Sequence, residues 1–575
     1  MTYRAPVDEY LFLLDVVHPI TQVFARPRFA HQDAGIAAPV LTEAAHIAER
    51  AFAPLRRAGD YDPARLENGV VRTTRGFAEA YHQYAEGGWI GLAADAAHGG
   101  MQLPQSLNMA VNEMLSGANL SLQLLPLLSQ GQIEALAHHA DDAIRALYLP
   151  KLISGRWSGT MNLTEPQAGS DVGALTTRAE PLGDGRYAIT GQKIFISWAD
   201  ADFLENTVHL VLARLPGAPA GSRGISLFLV PKYLPTPEDS AGARNGLRVL
   251  GLEHKMGLHG SPTAVLDFAG ATGWMVGPAN GGLAAMFTMM NNARLGVGMQ
   301  GIGVAEGAFQ QALAFATQRR QGRAGGSGTI AEHADVRRML ASMKADIFAA
   351  RAIALACAHA GDMATDTTLG EVSGHHAARA AFLTPIAKAF GTDTGIAVAN
   401  EAIQVHGGMG FVEETGVAQF LRDVRVTAIY EGTNGIQAMD LVGRKFLDGG
   451  DAAFRLIDEI EGGAEAARLA FPDLARSVWG AAETLREATE WMVAQGDMNE
   501  RLAGAQPFLR AFARVLGAHY HLRAACTAEA GARRARTALA RHYMVRLLPE
   551  HAALLDAARQ GKADLFALDL ADLAA

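Results

Sequence analysis

The sequence predicts a mostly helical protein with one β domain near its middle. Apolar residues recur at helical spacing from Leu41 to about Gly155, and the same spacing returns in long segments after Ala271. Between these regions, from about Trp157, lie short strand-like pieces that are separated by Gly, Pro and Asp clusters. Because the strands are grouped and do not alternate with helices, we expect separate α and β regions and no doubly wound parallel sheet.

The length of the chain predicts more than one packed region. Its 575 residues exceed the ~250–300 residues at which one hydrophobic core usually stops growing. Changes in residue pattern divide it into four expected domains: an N-terminal helical domain (1–157), a middle β domain (158–272), a helical bundle (273–445) and an additional C-terminal helical domain (446–575).

The composition favours a folded protein without metal-binding cysteines. Hydrophobic residues make up 49% and charged residues 19%, which is typical of globular proteins and too apolar for disorder. The formal net charge of −9 argues against nonspecific attraction to polyanions. Cys357 and Cys526 are far apart in the sequence, so we expect no disulfide framework and no metal site.

The N-terminal segment predicts a cytoplasmic protein. Its apolar stretch contains Asp8, Glu9 and Asp15, and it lacks the basic start and small-residue cleavage site of a signal peptide. No run of ~18 uncharged apolar residues occurs in the sequence, so we expect no transmembrane helix.

A glycine pattern in the bundle region invites comparison with a dinucleotide-binding motif. The segment GVGMQGIG, from Gly296 to Gly303, has several glycines, but it lies inside a helical pattern and no strand precedes it. The structural context of that motif is therefore missing. We expect these small residues to let two helices pack closely instead.

Three polar segments are candidates for a binding site. MNLTEPQAGSDVG (161–173) offers hydroxyl and backbone N–H donors that suit a ring edge or a phosphate, or it is a capped surface loop. QRRQGR (318–323) ends a long helix with three arginines, which could bind phosphate or complement the helix dipole. QVHGGMGF (404–411) has paired glycines that allow close approach of a ligand or form a helix C-cap.

A fourth segment, AIYEGTNGIQ (428–437), carries one carboxylate beside an aromatic residue. Glu431 follows Tyr430 and precedes a flexible Gly-Thr-Asn-Gly turn. A carboxylate that is buried beside apolar groups has a raised pKa and can act as a general base. The alternative is a solvated residue at a helix end.

The order and spacing of these segments, together with GQKIFIS at 191–197, resemble the acyl-CoA dehydrogenase family over at least residues 70–445. The resemblance implies an acyl-CoA dehydrogenase-like fold, with an N-terminal α domain, a middle β-barrel and a C-terminal four-helix bundle, and FAD bound between the barrel and the bundle. The length, the extra C-terminal domain and the phrase YEGTNGIQAMDLVGRK are similar to the longer subclass of 3-methylmercaptopropionyl-CoA dehydrogenases.

Two groups of residues match the FAD contacts of that family. The first group would contact or approach the isoalloxazine ring: Met161, Leu163, Thr164, Gly169, Ser170, Phe195, Ile196, Ser197, Thr433 and Asn434. The second group would bind the diphosphate and adenosine of the FAD that a neighbouring subunit holds: Arg319, Gln404, Gly407 and Gly408. The resemblance therefore implies a homodimer or homotetramer.

The resemblance also implies how an acyl-CoA substrate is bound and activated. Substrate contacts would come from Ser170, Asn291, Arg294, Tyr430 and Gly432. Glu431 would be the catalytic base, because the helix position that supplies the base in some subfamilies is Ala293 here. The implied reaction transfers the α-proton to Glu431 and the β-hydride to flavin N5, which yields a trans-2-enoyl-CoA. An electron-transfer flavoprotein is the implied electron acceptor.

The sequence departs from the family pattern at a few positions. Phe195 stands where many relatives have Trp, so stacking is kept while an electron path through tryptophan cannot use this position. Gly322 and Arg323 replace the usual Phe-Gly after QRRQ, and Ala334 replaces a Gln. These last departures concern the adenosine end of the FAD site.

Two other functions stay open at the level of sequence. An acyl-CoA oxidase is also flavin-dependent and long, and it would form peroxide. A DNA-associated alkylation-response flavoprotein of the same superfamily would need a phosphate-binding face. Such a face could come from a basic run in the C-terminal domain: Arg501, Arg510, Arg514, Arg523, Arg533, Arg534, Arg536, Arg541 and Arg546. Because acids flank this run, we expect salt bridges and no nucleic-acid partner.

Overall fold

The computed structural model describes residues 3–236, 240–323 and 325–575. Helices form both ends of the chain and a β domain lies between them, which confirms the expected fold class. The N-terminal region contains the helices α1 (Val7–Phe12), α2 (Ile20–Phe24), α3 (Ala37–Ile47), α4 (Arg56–Tyr61), α5 (Phe77–Glu86), α6 (Gln105–His139) and α7 (Asp142–Ile153). Within the described ranges, no helix is both long enough and apolar enough to cross a lipid bilayer.

A short β-hairpin interrupts the N-terminal helices. Strands β1 (Arg65–Glu67) and β2 (Val70–Arg72) pair antiparallel around a two-residue turn at Asn68 and Gly69. Both turn residues have positive φ, 51° and 76°, as a type I′ hairpin turn requires. The range 1–157 is therefore not purely helical. The prediction missed the hairpin because it relied on helical periodicity, which does not detect an Asn-Gly turn.

The middle region forms a small barrel. Its strands are β3 (Trp157–Asn162), β4 (Arg178–Gly183), β5 (Arg186–Ser197), β6 (Asn206–Arg214), β7 (Ile225–Pro231), β8 (Tyr233–Pro235), β9 (Ala241–Arg244), β10 (Leu247–Leu252) and β11 (Thr263–Val276). Strands β11, β5, β4, β6 and β7 are hydrogen-bonded in a ring, since β7 pairs with both β6 and β11. The apolar residues Ile189, Phe228 and Leu266 fill the core of this barrel, and β3 packs against α6.

Long helices dominate the region after the barrel. Its helices are α8 (Gly282–Gln318), α9 (Ala334–Ala364), α10 (Glu371–His406), α11 (Gly408–Phe411), α12 (Val417–Val424) and α13 (Asn434–Gly443). Helices α8, α9 and α10 pack on one another, and α6 from the N-terminal region packs against α8 and α9. A long helix from outside 273–445 thus joins the bundle.

Glycines allow α8 to approach its neighbours closely. A Cβ atom on Gly298 would lie 2.8 Å from a backbone oxygen of α10, and Cβ atoms on Gly301 and Gly303 would lie still closer to backbone oxygens of α10 and α6. Side chains do not fit at such distances. The glycines of the GVGMQGIG segment therefore serve helix packing, as predicted.

The C-terminal region packs on the other helices. It contains α14 (Asp451–Ala467), α15 (Pro472–Ala494), α16 (Met498–Ala503), α17 (Ala505–Thr527), α18 (Ala530–Arg546), α19 (Glu550–Ala558), α20 (Ala563–Ala567) and α21 (Leu570–Ala574). Helix α17 packs against α9, α10 and α13. Arg514 pairs with Asp346 of α9, and Nη1 of Arg536 lies 2.6 Å from Oε1 of Glu9 in α1. Part of the basic run is thus used for internal ion pairs.

Candidate active site

The predicted base lies in a turn with strained backbone before α13. Glu431 has φ 55° and Gly432 has φ 85°, so the chain reverses through two successive left-handed residues. The left-handed backbone conformation costs a residue with a Cβ roughly 1–2 kcal/mol. Residues in such a conformation cluster at functional sites, where surrounding contacts hold them. Thr433 then caps α13, and its Oγ1 accepts a hydrogen bond from N of Ile436 at 3.3 Å.

Three side chains hold the backbone of this turn. Nε of Arg294 in α8 donates to the carbonyl oxygen of Glu431 at 3.3 Å. Nζ of Lys388 in α10 donates to the carbonyl oxygen of Gly432 at 3.0 Å. Nε2 of Gln437 in α13 donates to the same two oxygens at 3.3 Å and 3.1 Å. Donors from three helices therefore fix the left-handed conformation of Glu431.

The Glu431 carboxyl group has a raised pKa. Burial raises this pKa to about 7, while the positive charges of Arg294 and Lys388 act in the opposite direction. The residue is still partly exposed in the structure of the single chain. A carboxyl group with a pKa near 7 can take up a proton near neutral pH, as a general base must.

Lys388 is a fully buried lysine behind the turn. In addition to the Gly432 oxygen, its Nζ donates to Oδ1 of Asn434 at 2.9 Å. Nδ2 of Asn434 donates to Oδ1 of Asp393 at 2.7 Å. Burial lowers the pKa of Lys388 to about 7, against the attraction of Glu431 and Asp393. The Asn434 side chain is thus engaged within the chain, and its contact with flavin stays a prediction.

Arg294 is the second cation at the turn. It is buried, and its Nη1 lies 3.3 Å from Oδ1 of Asn291 and 3.9 Å from Oδ2 of Asp440. Burial lowers the pKa of Arg294 against the attraction of Asp440 and Glu431. Asn291 is exposed one turn earlier on α8. The structure thus brings the two predicted substrate contacts of α8 next to the predicted base.

Tyr430 reaches the interface between α8 and α6. Its hydroxyl donates to Oε1 of Gln300 in α8, and Nε2 of Gln300 donates to Oε1 of Gln123 in α6 at 2.8 Å. Both glutamines are fully buried. Burial and the adjacent Glu431 raise the pKa of Tyr430, so its hydroxyl stays protonated.

The predicted flavin contacts of the β domain meet at the ends of β3 and β5. Nζ of Lys193 donates to the carbonyl oxygen of Leu163 at 3.0 Å, and N of Ile194 donates to that of Thr164 at 3.0 Å. Phe195 follows with φ 61° and a side chain that is 58% exposed. A ring displayed in this way offers a flat apolar surface.

The remaining members of the first group differ in what they expose. Met161 lies buried at the end of β3, and the Ile196 side chain is buried in the barrel core, so the backbone of Ile196 is what could face a ligand. Ser197 is partly exposed. Gly169 and Ser170 lie in an exposed loop after β3.

A buried ion pair anchors this face of the barrel. Oε1 of Glu165 lies 2.8 Å from Nζ of Lys193 and accepts a hydrogen bond from the hydroxyl of Thr177 at 2.6 Å. Its Oε2 accepts a hydrogen bond from N of Thr176 at 2.7 Å. Burial opposes ionisation, yet Lys193 and the hydrogen bonds lower the pKa of Glu165 to about 2.

The second group of predicted FAD contacts lies elsewhere, at the exposed C-terminal ends of α8 and α10: Arg319, Gln404, Gly407 and Gly408. The rings of Phe315 and His406 stack with 4.3 Å between their centres and join the two helix ends. About 25 residues of α8 separate Arg294 from Arg319, which at 1.5 Å per residue is on the order of 37 Å. The Glu431 turn, which Arg294 contacts, and the predicted FAD contacts at the end of α8 are therefore far apart within one chain.

Sequence reasoning missed the donors that support the turn and the anchor of the barrel face. Lys388 was detectable as the one charged residue in the apolar helical segment LTPIAKAFG (383–391). Glu165 lies in the loop after β3 and Lys193 lies in β5, and both stand inside candidate segments, but their pairing has no local signal. Gln437 ends the candidate segment AIYEGTNGIQ (428–437), but its hydrogen bonds to the turn have no signal in the sequence.

Four family models match consecutive parts of the chain. They are described as acyl-CoA dehydrogenase, N-terminal domain (residues 44–156), middle domain (160–271) and C-terminal domain (280–446), and as acetyl-CoA dehydrogenase C-terminal like (456–569). The last model covers most of the extra C-terminal region.

Individual proteins agree with these models. The 3-methylmercaptopropionyl-CoA dehydrogenase of Ruegeria pomeroyi is 45% identical over 524 residues, which are 88% of each chain. A solved structure of Caenorhabditis elegans ACDH-11 in complex with C11-CoA has a TM-score of 0.79 at 21% identity and covers 94% of this chain and 91% of its own. A Bacillus anthracis acyl-CoA dehydrogenase complexed with FAD has a TM-score of 0.77 at 18% identity and covers 99% and 93%. Since family models cover all four regions and a relative at 45% identity spans most of the chain, the protein belongs to the acyl-CoA dehydrogenase family, in its longer subclass.

Proposed function

We propose that this acyl-CoA dehydrogenase desaturates an acyl-CoA thioester to a trans-2-enoyl-CoA, with Glu431 taking the α-proton and N5 of FAD accepting the β-hydride. The supporting observation is the Glu431 turn, in which a carboxyl group with a raised pKa is held in a left-handed conformation by donors from three helices.

The acidity of the substrate explains these features. The α-proton of a thioester is a very weak acid, so its removal needs a positioned base and a donor at the carbonyl oxygen where enolate charge develops. Glu431 supplies a base with a pKa of about 7. We assign the donor at the thioester oxygen to the backbone N–H of the same residue, which the turn holds in place.

Other carboxylates near the turn do not suit the role of base. Position 293, which carries the base in some relatives, is a buried alanine beside Arg294. Asp393 is bound by Asn434, and Asp440 is bound by Arg444. Glu431 is therefore the carboxyl group that we assign to proton transfer.

The residues of the chain suit FAD on both predicted surfaces. Phe195 offers an exposed ring for stacking. Thr164, whose carbonyl oxygen accepts a hydrogen bond from the adjacent Ile194, is partly exposed and carries a hydroxyl group. At the ends of α8 and α10, Arg319 offers a guanidinium group to a diphosphate. Gly407 and Gly408 leave their backbone open, since a Cβ on either would meet no atom within 4 Å.

The distance along α8 favours a site that two subunits share. We therefore propose a homodimer or homotetramer, in which the ends of α8 and α10 of one subunit complete the FAD site of another. We also propose that an electron-transfer flavoprotein accepts the electrons. The alternative, an acyl-CoA oxidase, predicts rapid reoxidation of the reduced enzyme by oxygen with stoichiometric peroxide.

Anaerobic mixing of the purified holoenzyme with a panel of acyl-CoA thioesters tests the proposal. We expect at least one thioester to bleach the flavin absorbance and to yield a product that lacks two hydrogen atoms by mass spectrometry. Admitting air then shows whether oxygen or an electron-transfer flavoprotein is the electron acceptor. Slow reoxidation supports a dehydrogenase, whereas peroxide formed at the turnover rate would replace it with the oxidase, and no bleaching with short, long or branched thioesters would contradict both.

A further inference from the structure

Lys388 places an ammonium group in the protein interior, and no described residue provides a direct counter-ion. Its side chain is 0% exposed, and its two hydrogen-bond acceptors are the neutral oxygens of Gly432 and Asn434. In the part of the chain that the structure describes, no carboxylate forms an ion pair with its Nζ. Burying an ammonium group in this way is energetically unfavourable. A neutral residue would fill the position at lower cost.

Helix packing fixes the place of this ammonium group. A Cβ on Gly298 of α8 would lie 3.4 Å from Cα of Lys388, so the two helices are in close contact at this level. Asn434 joins the lysine to Asp393 on the next turn of α10. Lys388 therefore cannot move away from the Glu431 turn without disturbing both helices.

The charged groups around the base come from three helices. Glu431 is faced by Arg294 from α8 and by Lys388 from α10, and both favour its ionised form. Lys388 is itself attracted by Glu431 and Asp393 and repelled by Arg294. At the C-terminal end of α13, Asp440 attracts Arg294 and Arg444, which follows the helix, repels it.

We propose that Lys388 is a positioning residue whose ammonium charge favours the ionised form of Glu431, the form that can accept a proton. Its Nζ also holds the turn through the Gly432 carbonyl group, while Asn434 and Asp393 keep the ammonium group in place. This role rests on the proposed function, because it concerns the same base.

Gln437 provides a matched control for a purely structural role. Its Nε2 donates to the same Gly432 oxygen at 3.1 Å, so it supports the same turn with a neutral amide. Replacing Gln437 removes hydrogen bonds to the turn, whereas replacing Lys388 removes a hydrogen bond and a positive charge. The pH profile distinguishes the two effects.

The experiment compares Lys388→Met, Lys388→Arg and Gln437→Met holoenzymes. The rate of flavin bleaching by an acyl-CoA that reduces the native enzyme is measured across the pH range around neutrality. Removing the lysine charge raises the pKa of Glu431, so we expect the midpoint of the Lys388→Met profile to rise by about 1–2 units and the rate to recover at high pH. Lys388→Arg should keep the native midpoint, and Gln437→Met should lower the rate without moving it.

Infrared difference spectroscopy adds a readout that needs no turnover. The band of the protonated Glu431 carboxyl group, identified by its loss in Glu431→Gln, should persist to higher pH in Lys388→Met. An unmoved midpoint in Lys388→Met, or an equal shift in Gln437→Met, would overturn the role of Lys388. If Lys388→Met does not fold, Lys388→Gln takes its place with the same expectation. Retained reduction in Glu431→Gln would instead contradict the proposed function itself.

Discussion

The Glu431 turn and the exposed C-terminal ends of α8 and α10 are far apart within the chain, and they differ in how far the chain itself satisfies their polar groups. Around the turn, Arg294, Lys388 and Gln437 donate hydrogen bonds to the backbone oxygens from within the chain. At the helix ends, the predicted FAD contacts, such as Arg319 and Gly407, are exposed. Under the proposed function, we expect the groups for proton abstraction to be held within one chain, whereas we expect retention of FAD to need a second chain.

The two regions meet different physical demands. A base must be held in a defined position with a pKa near the working pH, which requires burial and neighbouring charges. A surface that binds the cofactor of another subunit must stay open until assembly, and arginine and glycine suit this because they offer charge-assisted donors and an accessible backbone. The variants below test whether the two regions are separable in this way.

The largest effect is expected at the turn. Glu431→Gln removes the base while keeping the size of the side chain, so flavin reduction by acyl-CoA should fall ~10²–10⁴-fold, the usual contribution of a general base. FAD content should not change, since the second region is untouched. Stopped-flow absorbance measures both quantities. Glu414→Gln, at an exposed glutamate earlier in the chain, should behave like the native enzyme.

The next effect concerns stability of the barrel face. Glu165→Gln leaves Lys193 buried without its partner and should lower the free energy of unfolding by roughly 3–5 kcal/mol. Because the pKa of Glu165 is lowered to about 2, the stability from the pair is present above the ordinary carboxyl pKa and is lost as pH falls toward 2. Urea unfolding at several pH values tests this.

The surface pair of Arg156 and Glu205 offers the control for that variant. Its atoms lie 2.9 Å apart and both side chains are about half exposed, so Glu205→Gln should change the free energy of unfolding by no more than about 1 kcal/mol. If both substitutions lowered the free energy of unfolding equally, the buried pair of Glu165 and Lys193 would not be what stabilises this face of the barrel.

These residues also show which features of the fold and the site could be predicted from the sequence. The fold class and the glycine-packed helices were predictable, because periodicity and spacing are local properties. The assignment of Glu431 came from the resemblance to the family, and its role as base stays a prediction. The hairpin at Asn68 was missed although its turn signal is local. The roles of Lys388 and Glu165 were not predictable, because each depends on a partner brought close by tertiary packing, and spacing along the chain does not report such contacts.

A smaller effect is expected at the open helix ends. Arg319→Ala removes a charge-assisted contact to the diphosphate, and a loss of about 1.5–3 kcal/mol would weaken FAD binding roughly 10–100-fold. Flavin fluorescence on dilution measures the release. Arg320→Ala, the exposed neighbour, should release FAD like the native enzyme, and full occupancy of Arg319→Ala at low protein concentration would count against a shared site.

The smallest effect is expected on the basic helix α18. Arg534 and Arg541 are exposed, whereas Arg514 and Arg536 of the same run form internal ion pairs. Replacing both exposed arginines by glutamine should leave flavin reduction within about twofold of native, since surface substitutions rarely matter. Fluorescence anisotropy should detect at most weak duplex DNA binding that salt removes. Tight binding at physiological salt that these substitutions abolish would favour the DNA-associated alternative.

Mixed oligomers test the separation of the two regions most directly. Glu431→Gln and Arg319→Ala chains with different tags are co-expressed, and the hybrid is isolated. If each FAD site combines the turn of one subunit with the helix ends of another, a hybrid dimer contains one site with both native residues. After removal of free FAD, the hybrid should retain FAD in that one site and reduce it with acyl-CoA at the native rate. The Glu431→Gln parent should retain FAD without reducing it, and the Arg319→Ala parent should retain little FAD. Hybrids that are no more active than the parents would contradict a site shared between chains.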